Sequence, residues 1–387
     1  MFGSELSIEI FLRDYWQKKP LLFRNAFPNI ESPVSPDELA GLACVEGINS
    51  RLIFESAEYS AEGRAWSVKY GPFDENDFSH LPDSGWSLLV SDVEKHLPAA
   101  REIFDAFRFI PDWRIDDLMI SYAPAGASVG AHVDAYDVFL LQLHGTRRWM
   151  ISESFDEHVL PNTDMRILSN FAAENTWDLQ PGDMLYLPPN VAHHGIAQDD
   201  CMTASIGFRA PSLRNLVSDF GEYMARRLPE ALRYTDPELT TQTHPAEITA
   251  QTARKLKGLL LENIELDDDS ISDWLGEFAS DNRTSAQLYE SDLQFSDSHD
   301  LYTHISEVAR LEHNPMSRFL FARHAQSARL FVDGRASACS IEFAETICAH
   351  NILDTRTLLE AVKHPQDEVL LLELFNKQCL LVYDEPG

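Results

Sequence analysis

The chain has 387 residues, of which 44% are hydrophobic, 10% aromatic and 24% charged. This length and composition predict a folded protein of two or three domains and exclude a disordered or fibrous chain. The 62 acidic and 31 basic side chains give a formal net charge of −31, which repels phosphate backbones and anionic lipids. We therefore expect no direct nucleic-acid binding and no membrane partner, whereas a basic protein would be attracted.

Export and membrane insertion are also disfavoured. No apolar run approaches the roughly 18 residues of a membrane span, and Glu5 and Glu9 stand where an export signal carries cations. The five cysteines are odd in number and never form a CxxC pair, which predicts free thiols rather than a disulfide framework or a zinc site. These features predict a cytoplasmic protein.

The first half of the chain predicts helices followed by β-structure. The spacing of apolar residues predicts helices at 7–17 and 92–107, and strands at 21–23 and 86–90. From about residue 115 the chain becomes rich in β-branched and aromatic residues between Gly, Pro and Asn, which is typical of a small antiparallel sandwich or barrel. The strands predicted there are 118–122, 137–143, 147–152, 184–187 and 202–208.

After Pro211 the apolar spacing becomes helical. One stripe recurs at intervals of three and four residues and is formed by Leu213, Leu216, Val217, Phe220 and Met224. Such a stripe requires a packing partner. A second stripe follows at 256–264, and the stretch from Glu262 to Asp300 contains twelve acidic residues and one basic residue. We expect a helical module here, with helix-to-helix dimerisation.

The last part of the chain predicts a winged helix. From about Leu301 the pattern indicates helices, then a strand at 328–332, helices at 341–350 and 354–363, and a strand at 379–383. A winged helix ordinarily indicates DNA binding, but residues 341–387 carry nine acidic and three basic side chains. That balance favours a protein contact instead.

The residues that could carry chemistry lie in the β-rich part. In an extended chain, His132 and Asp134 point to the same face, and the rigid segment Pro188-Pro189 precedes His193. Two histidines and one carboxylate form the facial triad that binds non-haem Fe(II) and leaves coordination positions open. His193 and His194 would point to opposite sides of a strand, and the spacing after the prolines favours His193 as the ligand.

The open positions of such a metal can accept dioxygen and a bidentate 2-oxo acid, whose distal carboxylate needs a cation. Arg147 begins the strand that returns after the turn at 144–146, and a guanidinium pairs with a carboxylate bidentately. The adjacent Arg148 is the alternative. Thr203 and Ser205, on the last strand of this region, either hydrogen-bond the cosubstrate or simply pack.

The same part of the chain contains a series of motifs: Asp116-Asp-Leu-Met-Ile-Ser121, His132-x-Asp134-x-Tyr136, Gly145-Thr-Arg-Arg-Trp149, Pro181-Gly-Asp183, Leu187-Pro-Pro189, His193 and Gly207-Phe-Arg-Ala-Pro211. Together these motifs resemble the JmjC-type ribosomal oxygenases, and within them the bacterial enzymes that hydroxylate an arginine of a ribosomal protein. The resemblance implies an α+β protein. It places a double-stranded β-helix of the cupin, jelly-roll or JmjC type at 1–210, a helical dimerisation region at 211–300 and a winged-helix domain at 301–387.

The resemblance also implies roles for individual residues. The implied iron ligands are His132, Asp134 and His193. Arg147 corresponds to the residue that binds the distal carboxylate of 2-oxoglutarate, and Asp117 and Met119 lie on the strand that lines the substrate pocket. The implied reaction uses Fe(II), 2-oxoglutarate and O2 to hydroxylate the β-carbon of an arginine in large-subunit ribosomal protein number sixteen.

Other functions remain open at this point. The same cofactor chemistry serves histidine hydroxylases and N-methyl-lysine demethylases of the same superfamily. A different class would be a non-catalytic acidic binding factor for basic ribosomal proteins. The presence of His132, Asp134, His193 and Arg147 together disfavours this last class, because a decayed site has no reason to keep all four.

Overall fold

The computed structural model describes residues 6–55, 66–264, 266–281 and 294–383. The chain divides into two compact units, one ending at Ala210 and the other beginning at Pro211. Part of the predicted acidic stretch, residues 265 and 282–293, lies outside the described residues. No helix in the described part of the chain is long and apolar enough to cross a membrane.

Twelve strands and four α-helices of the first unit are described. The strands are β1 Leu21–Phe23, β2 Ser50–Phe54, β3 Ser67–Tyr70, β4 Trp86–Val90, β5 Ile115–Ala123, β6 His132–Val133, β7 Val138–His144, β8 Arg147–Ser152, β9 Asn175–Leu179, β10 Met184–Leu187, β11 Ala192–Ala197 and β12 Cys201–Phe208. The helices are α1 Ile8–Asp14, α2 Pro36–Ala43, α3 Glu75–Ser79 and α4 Pro98–Asp105.

The strands form two antiparallel sheets. The large sheet has the order β1-β10-β7-β12-β5-β4-β2-β3, and the small sheet has the order β6-β11-β8-β9. All five strands predicted between 115 and 210 are present within two or three residues of their predicted ends. The predicted helix at 92–107 is split into a 3-10 turn at Val93–Lys95 and α4, because Pro98 lacks the N–H that would continue the first turn.

The two faces of the large sheet have different surroundings. Because side chains alternate along a strand, Phe139 of β7 points to the face opposite Val138 and Leu140. Phe139 packs with the rings of Phe107 and Tyr186, each at a centroid distance of 4.9 Å. This aromatic core belongs to the main buried cluster of the first unit. The other face is therefore available for the pocket described below.

The second unit contains helices and short antiparallel strands. Its helices are α5 Leu213–Arg227, α6 Ala250–Asn263, α7 Asp268–Ser280, α8 Ser298–Ile305, α9 Ile341–Ile347, α10 Thr355–Ala361 and α11 Pro365–Asn376. Its strands are β13 Arg310–His313, β14 Phe319–Arg323, β15 Ala328–Val332, β16 Arg335–Cys339, β17 Ile352–Asp354 and β18 Leu380–Val382. They form the three-stranded sheets β17-β13-β18 and β14-β15-β16.

The prediction of helices from Leu301 onward is wrong for most of the segment before 328. Only α8 is helical there, and β13 and β14 follow it. Leu311 of β13 and Phe319 of β14 are buried in the core of this unit, so strand pairing and burial decide the structure of this polar segment. The predicted stripe on α5 is half covered, because Phe220 and Met224 pack around Trp274 of α7 whereas Val217 stays exposed.

Candidate active site

A cavity of about 380 Å³ lies in the first unit and is lined from both sheets. Alternate residues of β5, namely Asp117, Met119 and Ser121, line it from the large sheet. On the neighbouring β12, Thr203 pairs with Ser121 and Ser205 pairs with Met119, so these four side chains form two rows across the sheet. This volume suits a small cosubstrate together with one inserted side chain.

Three potential metal ligands converge at this cavity. His132 of β6 and His193 of β11 are paired in register, which brings their rings to a centroid distance of 4.2 Å. Asp134 Oδ2 lies 3.6 Å from His193 Nε2 and 3.9 Å from His132 Nε2. Among the described residues, this is the one group of three or more acidic, histidine or cysteine side chains with ligand atoms within 4.8 Å of one another.

Hydrogen bonds orient both imidazoles for coordination. His132 Nδ1 lies 2.9 Å from the carbonyl oxygen of Gly130, and His193 Nδ1 lies 3.0 Å from that of Val191. Each Nδ1 therefore carries the proton and donates it, so each Nε2 directs a lone pair toward Asp134. Burial and the neighbouring His132 imidazole lower the pKa of His193 below its ordinary value, which favours the neutral ring near pH 7.

The structure distinguishes the two adjacent histidines. His193 is buried and belongs to the cluster, whereas the ring of His194 contacts Phe171 edge-on at a centroid distance of 5.9 Å. Successive residues of β11 point to opposite faces of the small sheet, as the strand alternation predicts. The geometry therefore agrees with the choice of His193.

Arg147 is a buried cation with two unpaired nitrogen atoms in the part of the chain that the structure describes. Its side chain lines the cavity and the residue is 2% exposed, but Nε and Nη2 have no hydrogen-bond partner among the described residues. The centroid of the Trp149 ring lies 5.8 Å from the guanidinium carbon. An unpaired buried charge costs several kcal/mol. The arrangement is therefore complete only with an anion in the cavity.

Arg148 has a different environment. Its Nε and Nη2 donate to the two carboxylate oxygens of Asp178 at 2.7 and 2.9 Å, and both side chains are exposed. This bidentate pair occupies the Nε–Nη2 edge of the Arg148 guanidinium, and Arg148 does not line the cavity. Of the two candidates that the sequence offered, Arg147 is thus the one that faces the cavity.

Thr203 is held by a buried amide. The Nε2 atom of Gln142 donates to the carbonyl oxygens of His144 and Gly145, at 2.7 and 3.3 Å, so its Oε1 atom faces Thr203. Thr203 Oγ1 donates to that Oε1 atom at 3.0 Å. The Thr203 hydroxyl therefore offers the cavity a lone pair, and its hydrogen is not available to a carboxylate. Ser205 lines the same cavity.

The carboxylate of Asp117 makes its part of the cavity acidic. Burial, together with the charge of Asp92, raises the pKa of Asp117 to about 7. Gly207 faces Asp117, and a Cβ atom there would lie 3.2 Å from Asp117 Oδ1, so the missing side chain leaves room beside the carboxylate. Burial and the charge of Asp134 also raise the pKa of Tyr136.

All eight site residues predicted from the sequence line this single cavity. They are Asp117, Met119, His132, Asp134, Arg147, His193, Thr203 and Ser205. Sequence reasoning missed further lining residues, among them Arg51, Tyr136 and Trp149. Trp149 could have been found, because it follows Arg147 by two positions in the predicted strand at 147–152. Tyr136 lies in a bend, where strand alternation gives no signal. Arg51 had no such signal, since β2 was not predicted.

Comparison with known proteins assigns the family. The JmjC domain family matches residues 102–216, and the ROXA-like winged helix family matches residues 260–380. The chain is 41% identical over 275 residues to the ribosomal protein uL16 3-hydroxylase of Escherichia coli strain K12, covering 70% of this chain and 71% of that protein. The chain belongs to the JmjC-type ribosomal oxygenase family.

Other members of the family agree. The probable ribosomal oxygenase of Haemophilus influenzae is 37% identical over 270 residues, covering 67% of this chain and 65% of the relative. The solved structure of YcfD, a ribosomal oxygenase from Escherichia coli, superposes with a TM-score of 0.82 at 32% identity over 98% of this chain and 99% of that one. The expected double-stranded β-helix and winged helix are thereby confirmed.

Solved structures of that relative contain ligands. One is YcfD in complex with cobalt and 2-oxoglutarate, which is also 32% identical and superposes with a TM-score of 0.82 over 97% of this chain and 98% of that one. A metal and a 2-oxo acid are therefore bound by a member of the same family. The roles of the individual residues of this chain follow as a proposal.

Proposed function

We propose that this protein is an Fe(II)- and 2-oxoglutarate-dependent dioxygenase that hydroxylates an arginine side chain, at its β-carbon, in ribosomal protein uL16. The observation that carries the proposal is Arg147, a buried guanidinium with two unpaired nitrogen atoms in the same cavity as two histidines and a carboxylate. Such a cavity combines a three-ligand metal site with a fixed counter-ion for a dicarboxylic cosubstrate.

The metal is held by His132, Asp134 and His193. Two imidazoles with Nδ1 already hydrogen-bonded and one carboxylate are the donor set that Fe(II) oxygenases use. When bound, the iron supplies the activation of O2 that couples the decarboxylation of 2-oxoglutarate to hydroxylation of a C–H bond. The products are succinate, CO2 and the hydroxylated side chain.

Arg147 positions the cosubstrate. Its two unpaired N–H groups bind the distal carboxylate, which fixes the other end of 2-oxoglutarate toward the metal ligands. The cavity side chains Val138, Leu140 and Trp149 exclude water around this ion pair. Ser205 and Thr203 line the same wall, and the hydrogen bond to Gln142 fixes the Thr203 side chain.

Asp117 binds the target side chain. A carboxylate pairs bidentately with a guanidinium, and the space beside Gly207 leaves room for that planar group. The apolar Met119 packs along the methylene groups of an inserted arginine. The formal charge of −31 attracts a basic ribosomal protein to the surface and disfavours direct nucleic-acid contact.

We further propose a cytoplasmic homodimer, consistent with a target on the ribosome. The helices of residues 211–300 supply the contact, because several of their apolar side chains are exposed, among them Leu213, Val217, Leu260 and Leu261. Sedimentation velocity is expected to show a dimer for the native chain. Val217→Glu is expected to shift it to a monomer, and native protein that sediments as a monomer would contradict this assignment.

The test of the proposed activity uses purified protein, Fe(II), 2-oxoglutarate and an arginine-containing fragment of uL16. A mass gain of one oxygen atom, with an equal amount of succinate, is the expected result. His193→Ala is expected to abolish both, and His194→Ala, its matched neighbour, is expected to retain them. Fragmentation of the product locates the hydroxyl group on the modified residue.

Each other outcome selects an alternative. Hydroxylation of histidine, or loss of a methyl group from a methylated lysine peptide, would keep the chemistry and replace the target. Tight binding of basic ribosomal proteins without succinate formation would favour the non-catalytic binding factor. An arginine product with no requirement for 2-oxoglutarate would contradict the proposed role of Arg147.

A further inference from the structure

Glu94 lies behind the pocket and holds the backbone that carries Asp117. Strand β4 ends at Val90, which pairs with Ile120 of β5, so β5 continues beyond its neighbour toward Ile115. The chain then turns at Asp92, whose φ of 59° lies in the left-handed region, and enters the 3-10 turn that contains Glu94. Glu94 Oε2 accepts the N–H of Leu118 at 3.0 Å, where β4 no longer supplies a partner.

This hydrogen bond acts directly on the Asp117 backbone. The N–H that Glu94 accepts belongs to the peptide bond between Asp117 and Leu118. Asp117 lines the cavity, whereas Leu118, the next residue, is buried in the core on the opposite face. The orientation of that peptide therefore determines where the Asp117 side chain leaves the strand.

Glu94 forms no ion pair with any of the described residues. It is 6% exposed, and the adjacent Lys95 pairs with Asp92 at 2.6 Å instead. Burial, with the nearby carboxylates of Asp92 and Asp117, raises the pKa of Glu94 to about 8, so its carboxyl group is mostly neutral at pH 7. A neutral carboxyl group is a hydrogen-bond acceptor that does not compete with Asp117 for a cation.

We propose that Glu94 is a positioning residue for substrate recognition, which sets the direction of the Asp117 carboxylate by holding the Leu118 N–H. The inference rests on the proposed function only in taking an arginine side chain as the group that Asp117 binds. Glu94 touches neither the metal ligands nor the cosubstrate counter-ion Arg147 in this assignment. Its removal should weaken peptide binding and leave 2-oxoglutarate binding intact.

The experiment measures peptide affinity by calorimetry, without metal or oxygen, so that it does not depend on turnover. The probe is an arginine-containing basic fragment of uL16. Glu94→Leu, which has no acceptor for Leu118, is expected to weaken binding roughly 10-fold. Glu94→Gln keeps an oxygen acceptor and is expected to stay within about 2-fold of the native value.

A double-mutant cycle separates positioning from a general structural effect. If Glu94 acts through Asp117, then Glu94→Leu in an Asp117→Asn background should cause less than about 2-fold further loss, because the recognised carboxylate is already gone. Asp367→Leu is the matched control, since Asp367 is a buried acid that accepts the Ser340 N–H at 2.8 Å in the second unit. It is expected to lower the melting temperature without changing peptide affinity.

Three results would overturn the inference. The first is a Glu94→Gln variant that binds the peptide as weakly as Glu94→Leu does. The second is a double variant in which the losses of peptide affinity from Glu94→Leu and Asp117→Asn add in full. The third is a Glu94→Leu variant that, with metal added, loses as much affinity for 2-oxoglutarate as for the peptide. Native protein that binds no arginine peptide would overturn the proposed substrate class together with this inference. If the native protein binds the arginine peptide but the effects of Glu94→Leu and Asp117→Asn are additive, only the inference about Glu94 is overturned, and the proposed substrate class stands.

Discussion

Two buried charges of the first unit, Asp137 and Arg147, have opposite environments. Asp137 is fully buried and accepts hydrogen bonds from Tyr186 Oη at 2.6 Å, Gln17 Nε2 at 2.8 Å and Arg114 Nη2 at 3.4 Å. Arg147 is almost as buried, but its Nε and Nη2 atoms have no partner within the described ranges. The chain itself supplies hydrogen-bond partners for Asp137, whereas Arg147 requires a ligand for its unpaired nitrogen atoms.

This difference separates fold stability from function. The Asp137 group ties the residues that follow α1 to the start of β7 and to β10, so its hydrogen bonds serve the fold. Arg147 gives the fold no comparable contact and carries a desolvation cost instead. We therefore expect substitutions at the two positions to affect different measurements.

The largest expected effect is on activity, for Arg147→Met. Losing two charge-assisted hydrogen bonds should lower kcat/KM for 2-oxoglutarate roughly 1,000-fold, about 4 kcal/mol, without lowering the free energy of unfolding. Steady-state succinate formation and urea unfolding measure the two quantities. Arg148→Met is the matched control and should change kcat/KM less than about 2-fold and stability by less than about 1 kcal/mol. An Arg147→Met variant that loses stability but keeps its turnover would show that Arg147 serves the fold rather than the reaction.

The next effect is on stability, for Asp137→Ala. Removing the carboxylate leaves the Tyr186 hydroxyl and the Gln17 amide without their acceptor, and we expect a loss of about 3 kcal/mol in the free energy of unfolding. Activity per folded molecule should stay within about 3-fold, as measured by kcat after correction for the folded fraction. Loss of kcat in a variant of unchanged stability would show that Asp137 belongs to the site.

Ligand binding should stabilise the native protein through Arg147. At 100 times its dissociation constant, 2-oxoglutarate with Fe(II) in oxygen-free buffer should add about 2.7 kcal/mol to the free energy of unfolding. Arg147→Met should show almost none of this gain, whereas Asp137→Ala should show all of it from a lower starting point. Thermal or urea unfolding with and without the cosubstrate measures the difference, and an equal gain in both variants would contradict the assignment.

The smallest effect is the pH dependence of substrate recognition. Because the pKa of Asp117 is raised to about 7, its carboxylate forms as the pH rises, while a guanidinium stays charged throughout. The KM for an arginine peptide should therefore fall roughly 10-fold between pH 6 and pH 8, and the KM for 2-oxoglutarate should change little. Asp117→Asn should have a high KM that does not vary with pH. A rising KM for the native protein would contradict the cation-binding role.

Much of the fold could be predicted from local patterns. The strand at 147–152 was predicted with its observed ends, and the alternation around His132 and Asp134 correctly placed both side chains in one cavity. The strands β2 and β3 were not predicted. They are short, and their pairing with β4 and with each other, rather than a clear period, determines their structure.

The parts of the site that were missed depend on long-range contacts. Arg51 reaches the cavity only because β2 pairs with β4 in the large sheet, and Glu94 is buried only because β4 ends before β5 does. The choice between Arg147 and Arg148 rested on motif position, and the observed contact between Arg148 and Asp178 supplies its physical basis. The local spacing of residue types does not predict such contacts between residues that are distant in the sequence.

The most direct test of the account compares two cosubstrates by calorimetry, using protein loaded with Fe(II) in the absence of oxygen. One is 2-oxoglutarate, and the other is 2-oxobutanoate, which has the same 2-oxo acid group but lacks the distal carboxylate. We predict that the native protein prefers 2-oxoglutarate by at least roughly 100-fold, and that Arg147→Met binds the two with similar affinity. Equal affinities in the native protein, or an unchanged preference in Arg147→Met, would contradict the claim that the unpaired guanidinium is the cosubstrate's counter-ion.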